Sequence, residues 1–171
     1  GKTAIIEMAA ASGLPLLQPE ERNPWMTSTY GTGEMIMDAI QKGCRQFLVG
    51  IGGSATNDAG TGMLQALGFK FFDFNGQEIT DCRGGRLQDI ADLDDSCVPE
   101  AVREAEFIVA CDVDTPFCGP EGAAPVFAPQ KGADAEMVEK LDAGMASFAK
   151  VIEAKYGIHI VPIAGAGAAG G

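Results

Sequence analysis

The sequence predicts an α/β fold, a mostly parallel sheet with helices on both faces. Three observations carry that expectation. Two short apolar runs, residues 47–51 and 107–111, lack period-two alternation and read as strands covered on both sides. Stretches with apolar residues at helical spacing alternate with them. Polar, glycine-rich segments follow the runs directly, at the strand ends where open α/β sheets bind ligands.

Taken in order, residues 3–8 read as a short buried strand, followed by the breakers Ser12, Gly13 and Pro15 and a polar loop to Pro24. A helix over 32–42 places Met35, Ile36, Ala39 and Ile40 on one face and ends at Gly43. After the strand at 47–51, a second helix is expected over 58–67. Residues 69–74 followed by Asn75-Gly76 signal a hairpin or flap. A helix with Pro99 in its first turn precedes the strand at 107–111, and a long loop runs from 112 to 131. Val138, Leu141, Met145, Phe148 and Ile152 form the apolar stripe of a helix over 134–156, closed by Gly157. The run ending at Ile163 reads as a further strand, with the Gly165 to Gly171 segment at its end.

The 171 residues fit one domain, residues 1–171. The chain starts at Gly1 and ends in a glycine loop that would normally join two elements, so a fragment of a longer protein is expected. Twenty-four acidic against 12 basic residues give a formal charge of −12, which disfavours nucleic acid and anionic membrane surfaces as partners. A small anionic substrate is not disfavoured, because backbone N–H groups bind anions without side-chain charge. Five cysteines without a C-x-x-C pair argue against a disulfide framework or zinc site, and point to a cytoplasmic protein. No apolar run is long enough to span a membrane.

The strongest chemical signal is Gly52-Gly53-Ser54-Ala55-Thr56-Asn57-Asp58-Ala59-Gly60, which joins a strand to a helix. Its N–H groups, with Ser54 and Thr56 as donors, would make an anion cradle around Gly53 and Asn57. The competing reading is that Thr56, Asn57 or Asp58 only caps the helix. Asp112 and Asp114 follow a buried strand and suit Mg²⁺ carried by substrate phosphates, or else a polar turn. Lys131, just before a helix, either faces a phosphate or is solvated. Gly1-Lys2-Thr3 leads into strand-like residues, the wrong context for a P-loop, and His159 has no carboxylate or cysteine beside it in sequence. No G-x-S-x-G elbow is present.

Several blocks in order resemble the bacterial glycerate kinases unrelated to P-loop kinases. They are Thr29-Tyr30-Gly31-Thr32-Gly33-Glu34, the residues from Gly50 to Gly60, Cys111-Asp112-Val113, Phe127-Ala128-Pro129-Gln130-Lys131-Gly132-Ala133, and the residues from Gly165 to Gly171. The resemblance implies ATP-dependent phosphorylation of D-glycerate with Mg²⁺, in an enzyme of two α/β domains of which this chain is the inserted one. On that footing Gly53, Ser54, Thr56 and Asn57 bind substrate, Asp58 orients the attacking hydroxyl, Asp112 holds the metal and Lys131 contacts phosphate. Gly165, Gly167 and Gly170 would let backbone approach the nucleotide or substrate. A homo-oligomer is compatible with this reading. The alternative is a non-catalytic anion-binding α/β module.

Overall fold

The computed structural model describes residues 1–171. Strands β1 (Lys2–Glu7) and β2 (Cys44–Gly50) and the later β6 (Glu106–Ala110) form a parallel sheet with β2 in the centre. Between β1 and β2 the chain makes a one-turn helix α1 (Ala9–Ser12) and then α2 (Tyr30–Gln41). Ile36, Ala39 and Ile40 of α2 pack on Ile6, Phe47 and Val49, the buried side of the sheet. Gly43 turns the chain from α2 into β2 with φ +88, a conformation that favours glycine.

The α/β class is borne out, but the expected helices on both faces are not found in these residues. Ile5, Leu48 and Ile108 stand in register on the opposite face and are 71%, 39% and 59% exposed. An unalternating apolar run says that both sides favour apolar cover. It does not say which segment supplies the cover, and no element of this chain lies there.

Helix α3 (Thr61–Ala66) follows β2, and then an antiparallel sheet intervenes before the parallel sheet resumes. Strand β3 (Lys70–Phe72) lies between β4 (Glu78–Ile79) and β5 (Asp92–Asp94). The Asn75-Gly76 turn occurs as expected: Asp73 Oδ1 accepts from the N–H groups of Asn75 and Gln77 at 2.8 and 2.9 Å, and Gly76 has φ +76. Strand β5 had no clear sequence signal, because Asp92-Leu93-Asp94 offers one apolar residue.

Helices α4 (Glu100–Arg103) and α5 (Ala123–Phe127) are short, and α6 (Ala135–Tyr156) is long and closes the second core. Asp134 caps α6 by accepting from Met137 N at 2.8 Å, and Gly157 ends it at φ +69. Leu141, Met145 and Phe148 from its stripe are fully buried against Phe71, Leu87, Ile90 and Phe117. The run at 158–163 is not a strand: Ile158, Val161 and Ile163 are exposed and pair with no sheet. No helix is long and apolar enough to cross a membrane.

Candidate active site

The loops after β2 and β6 leave neighbouring parallel strands at the same end and enclose a cavity of about 150 Å³. Residues 51–54 form one wall and 110–113 another, with Phe127, Gln130 and Lys131 behind and Ala168 and Ala169 closing the side. This is the strand-end position where open α/β sheets take ligands.

Backbone conformation opens the cradle. Gly53 adopts φ +70, which a side chain would strain, and a Cβ on Gly52 would project into open space. The N–H groups of Gly52, Gly53 and Ser54 donate to no other backbone group of the chain. They are the donors an oxyanion needs.

Lys131 supplies the charge. It is 1% exposed, neither a solvated lysine nor a rim one, and its Nζ donates to Ser54 Oγ at 2.8 Å and to Thr56 O at 2.5 Å. Burial lowers its pKa from 10.5 to about 8, and the Asp58 carboxylate pulls the other way. In a chain of charge −12 the cavity therefore has a cationic floor.

Three residues expected to touch ligand, Asp58, Thr56 and Asn57, are turned inward instead. Asp58 is buried, its Oδ2 accepting from Thr29 N and Thr29 Oγ1 at 2.8 Å and from Gly62 N at 3.3 Å, and its Oδ1 from Gly60 N at 3.2 Å. Desolvation raises its pKa, against the lowering effect of these donors. Its carboxylate is spent on holding the starts of α2 and α3, so the helix-capping alternative fits Asp58. Ala59 and Gly60 both have positive φ, at 51 and 69, which delays α3 from the expected residue 58 to Thr61.

Thr56 and Asn57 are also fully buried and lie behind the cavity wall. Asn57 Nδ2 donates to Met145 Sδ at 3.2 Å, while Asn57 Oδ1 and Thr56 Oγ1 have no partner. Ser54 lines the cavity, but its hydroxyl donates to Ala169 O at 3.1 Å. The side chains at 56 and 57 thus do not line the cavity, the Ser54 hydroxyl is held by Ala169 and Lys131, and Gly53 is the substrate-binding candidate whose backbone reaches it.

Asp112 is exposed on the cavity wall at the end of β6, beside Cys111. No three His, Cys, Asp or Glu side chains gather to hold a metal ion. A lone exposed carboxylate here could supply one ligand to Mg²⁺, an ion commonly bound through one or two carboxylates together with oxygens of a bound anion.

The glycines at 165, 167 and 170 make their close approach to the chain itself. A Cβ on Gly167 would strike Pro116 O, one on Gly170 would strike Thr56 O, and one on Gly165 would sit 3.0 Å from Val113 O. Gly170 O accepts from Ala59 N at 3.0 Å and Gly167 N donates to Thr115 O at 2.9 Å, so this loop is a strap across the two strand-end loops. The alanines between these glycines, Ala168 and Ala169, are what reaches the cavity. Sequence reasoning also missed Gln130 and Phe127 as cavity residues, though their position beside Lys131 in one block was a signal.

Comparison with known proteins identifies the family. The glycerate kinase family model matches residues 1–171. The chain is 52% identical over its whole length to a glycerate kinase of Haemophilus influenzae, and 50% identical to one of Bacillus subtilis, covering 45% and 44% of those proteins. It is 47% identical to the glycerate 2-kinase of Escherichia coli, again covering 45% of it. A crystal structure of a protein assigned as glycerate kinase 2 from Salmonella typhimurium LT2 superposes with a TM-score of 0.95 at 45% identity, covering 99% of this chain and 45% of that one. The chain spans just under half the length of these relatives, and it belongs to the glycerate kinase family.

Proposed function

We propose that these residues form one wall of the active site of a glycerate kinase, which transfers a phosphoryl group from ATP to a hydroxyl of D-glycerate. The observation that carries the reading is the pairing of unspent N–H groups at Gly52, Gly53 and Ser54 with the buried ammonium of Lys131. Phosphoryl transfer needs placement and charge neutralisation more than covalent help. The cradle and Lys131 bind the oxygens of the phosphoryl group in transfer. At about 150 Å³ the cavity suits one anionic group and leaves the nucleoside outside it.

Asp58 acts from behind, holding the starts of α2 and α3 and favouring the charged form of Lys131. Asp112 would hold Mg²⁺, which when bound supplies further neutralisation of phosphate charge. The Escherichia coli relative is a glycerate 2-kinase, which supports the 2-hydroxyl as acceptor here. ATP, D-glycerate and a cytoplasmic setting belong to this reading, as does the place of the chain as one domain of a larger enzyme.

The test is product analysis in a polypeptide of family length carrying these residues. Glycerate-dependent formation of ADP and 2-phosphoglycerate supports the assignment. Phosphate binding without any turnover would replace it with the anion-binding module.

A further inference from the structure

The Ser54 hydroxyl has one proton, and the structure commits it. Ser54 is 4% exposed; its Oγ donates to Ala169 O at 3.1 Å and accepts from Lys131 Nζ at 2.8 Å. An incoming anion needs a donor, and this hydroxyl has none left. Lys131 has three N–H donors, of which Ser54 Oγ and Thr56 O take two, leaving one for a group in the cavity. Thr56 O is fixed backbone, so Ser54 is the side chain that sets how the ammonium is turned.

The hydroxyl is itself held in orientation. Ala169 has φ 56, a left-handed conformation unusual for a residue with a Cβ, and the strap that carries it is fixed to the β2 loop through Ala59 N and Gly170 O. With its proton given to Ala169 O, the lone pairs of Ser54 face Lys131. The other titratable groups around that lysine are Asp58 beneath the loop and Cys111 and Asp112 on the facing cavity wall.

We propose that Ser54 is a positioning residue for phosphoryl transfer: its hydroxyl, anchored on Ala169 O, aims and stabilises the Lys131 ammonium and does not itself contact substrate. The proposal rests on the kinase reading above. It separates the Ser54 hydroxyl, though not the Ser54 N–H, from the substrate-binding part suggested by the loop motif.

The experiment compares wild type, Ser54→Ala, Lys131→Met and the double variant in the family-length enzyme, with Lys131 Nζ titrated by NMR in wild type and Ser54→Ala. Ser54→Ala is expected to lower kcat about tenfold or more, the scale of a hydrogen bond to a charged group, with KM for glycerate little changed. Loss of an acceptor disfavours the ammonium, so both the Lys131 titration and the alkaline limb of the rate profile move to lower pH. In the Lys131→Met background Ser54→Ala adds no further loss. A raised KM with an unmoved alkaline limb means direct substrate contact and overturns the proposal. So does a lowered melting temperature with unchanged kinetics and lysine titration. If Ser54→Ala fails to fold, Ser54→Cys preserves volume with a weaker acceptor and is read the same way. The NMR titration needs no turnover: an unmoved lysine overturns the Ser54 assignment in an active kinase, whereas a shifted lysine in an inactive wild type overturns the kinase reading alone.

Discussion

The loops after β2 and β6 leave adjacent strands of one sheet at one end, yet they use their aspartates in opposite ways. Asp58 turns into the protein and takes four hydrogen bonds from Thr29, Gly60 and Gly62, whereas Asp112 is exposed on the cavity wall. The difference follows from what comes next in the chain. After β2 two helix starts converge and leave N–H groups that need an acceptor. After β6 the chain continues in an extended loop with no helix beginning until Ala123. A carboxylate at a strand end is therefore tied up or left free according to how many backbone donors surround it.

The largest effect that tests this contrast is on stability. Asp58→Ala leaves four donors without an acceptor and should cost about 3 kcal/mol or more in denaturant unfolding. A variant as stable as wild type would return Asp58 to the list of ligand contacts.

Next in size is the pH dependence contributed by Lys131. Its folded pKa of about 8 lies below the ordinary 10.5, so the unfolded chain binds the proton more tightly. Wild type is therefore penalised relative to Lys131→Met below about pH 8, and the penalty fades as pH rises from about 8 to 10.5. The stability gap between the two should close by about 3 kcal/mol across that window. A constant gap would mean that the lysine is not desolvated.

Asp112→Asn should do the reverse of Asp58→Ala. The melting temperature stays put, while turnover falls about tenfold or more and the Mg²⁺ requirement rises. Unaltered rate and metal dependence would take Asp112 out of the site. The smallest effect belongs to Thr56→Val, where the lost hydroxyl has no partner. Stability should hold or rise by less than about 1 kcal/mol with binding unchanged; weakened anion binding would show that Thr56 Oγ1 reaches the ligand.

Much of this architecture could be read from residue patterns because it depends on local chemistry. The stripe of α6 with its Asp134 cap and Gly157 stop, the Asn75-Gly76 turn, and the β2 and β6 runs each carry their own signal. The Gly53 cradle was visible for the same reason. The orientation of Ser54, Asn57 and Asp58 was not, because their partners meet them only in the fold: Lys131 and Ala169, 77 and 115 residues away, for Ser54, Met145 for Asn57 and Thr29 for Asp58. Gly167 and Gly170 look identical to ligand-approach glycines in sequence, and only the positions of Pro116 O and Thr56 O show that they pack against the chain itself.

The central claim, that the cavity between the β2 and β6 loops receives the phosphoryl group, is tested most directly by a crystal structure of the family-length enzyme with D-glycerate, Mg²⁺ and a non-hydrolysable ATP analogue. The terminal phosphate is expected within hydrogen-bond distance of Lys131 Nζ and of the N–H groups of Gly52, Gly53 and Ser54. Reactants bound elsewhere, with Lys131 contacting only Ser54 and Thr56, would contradict it.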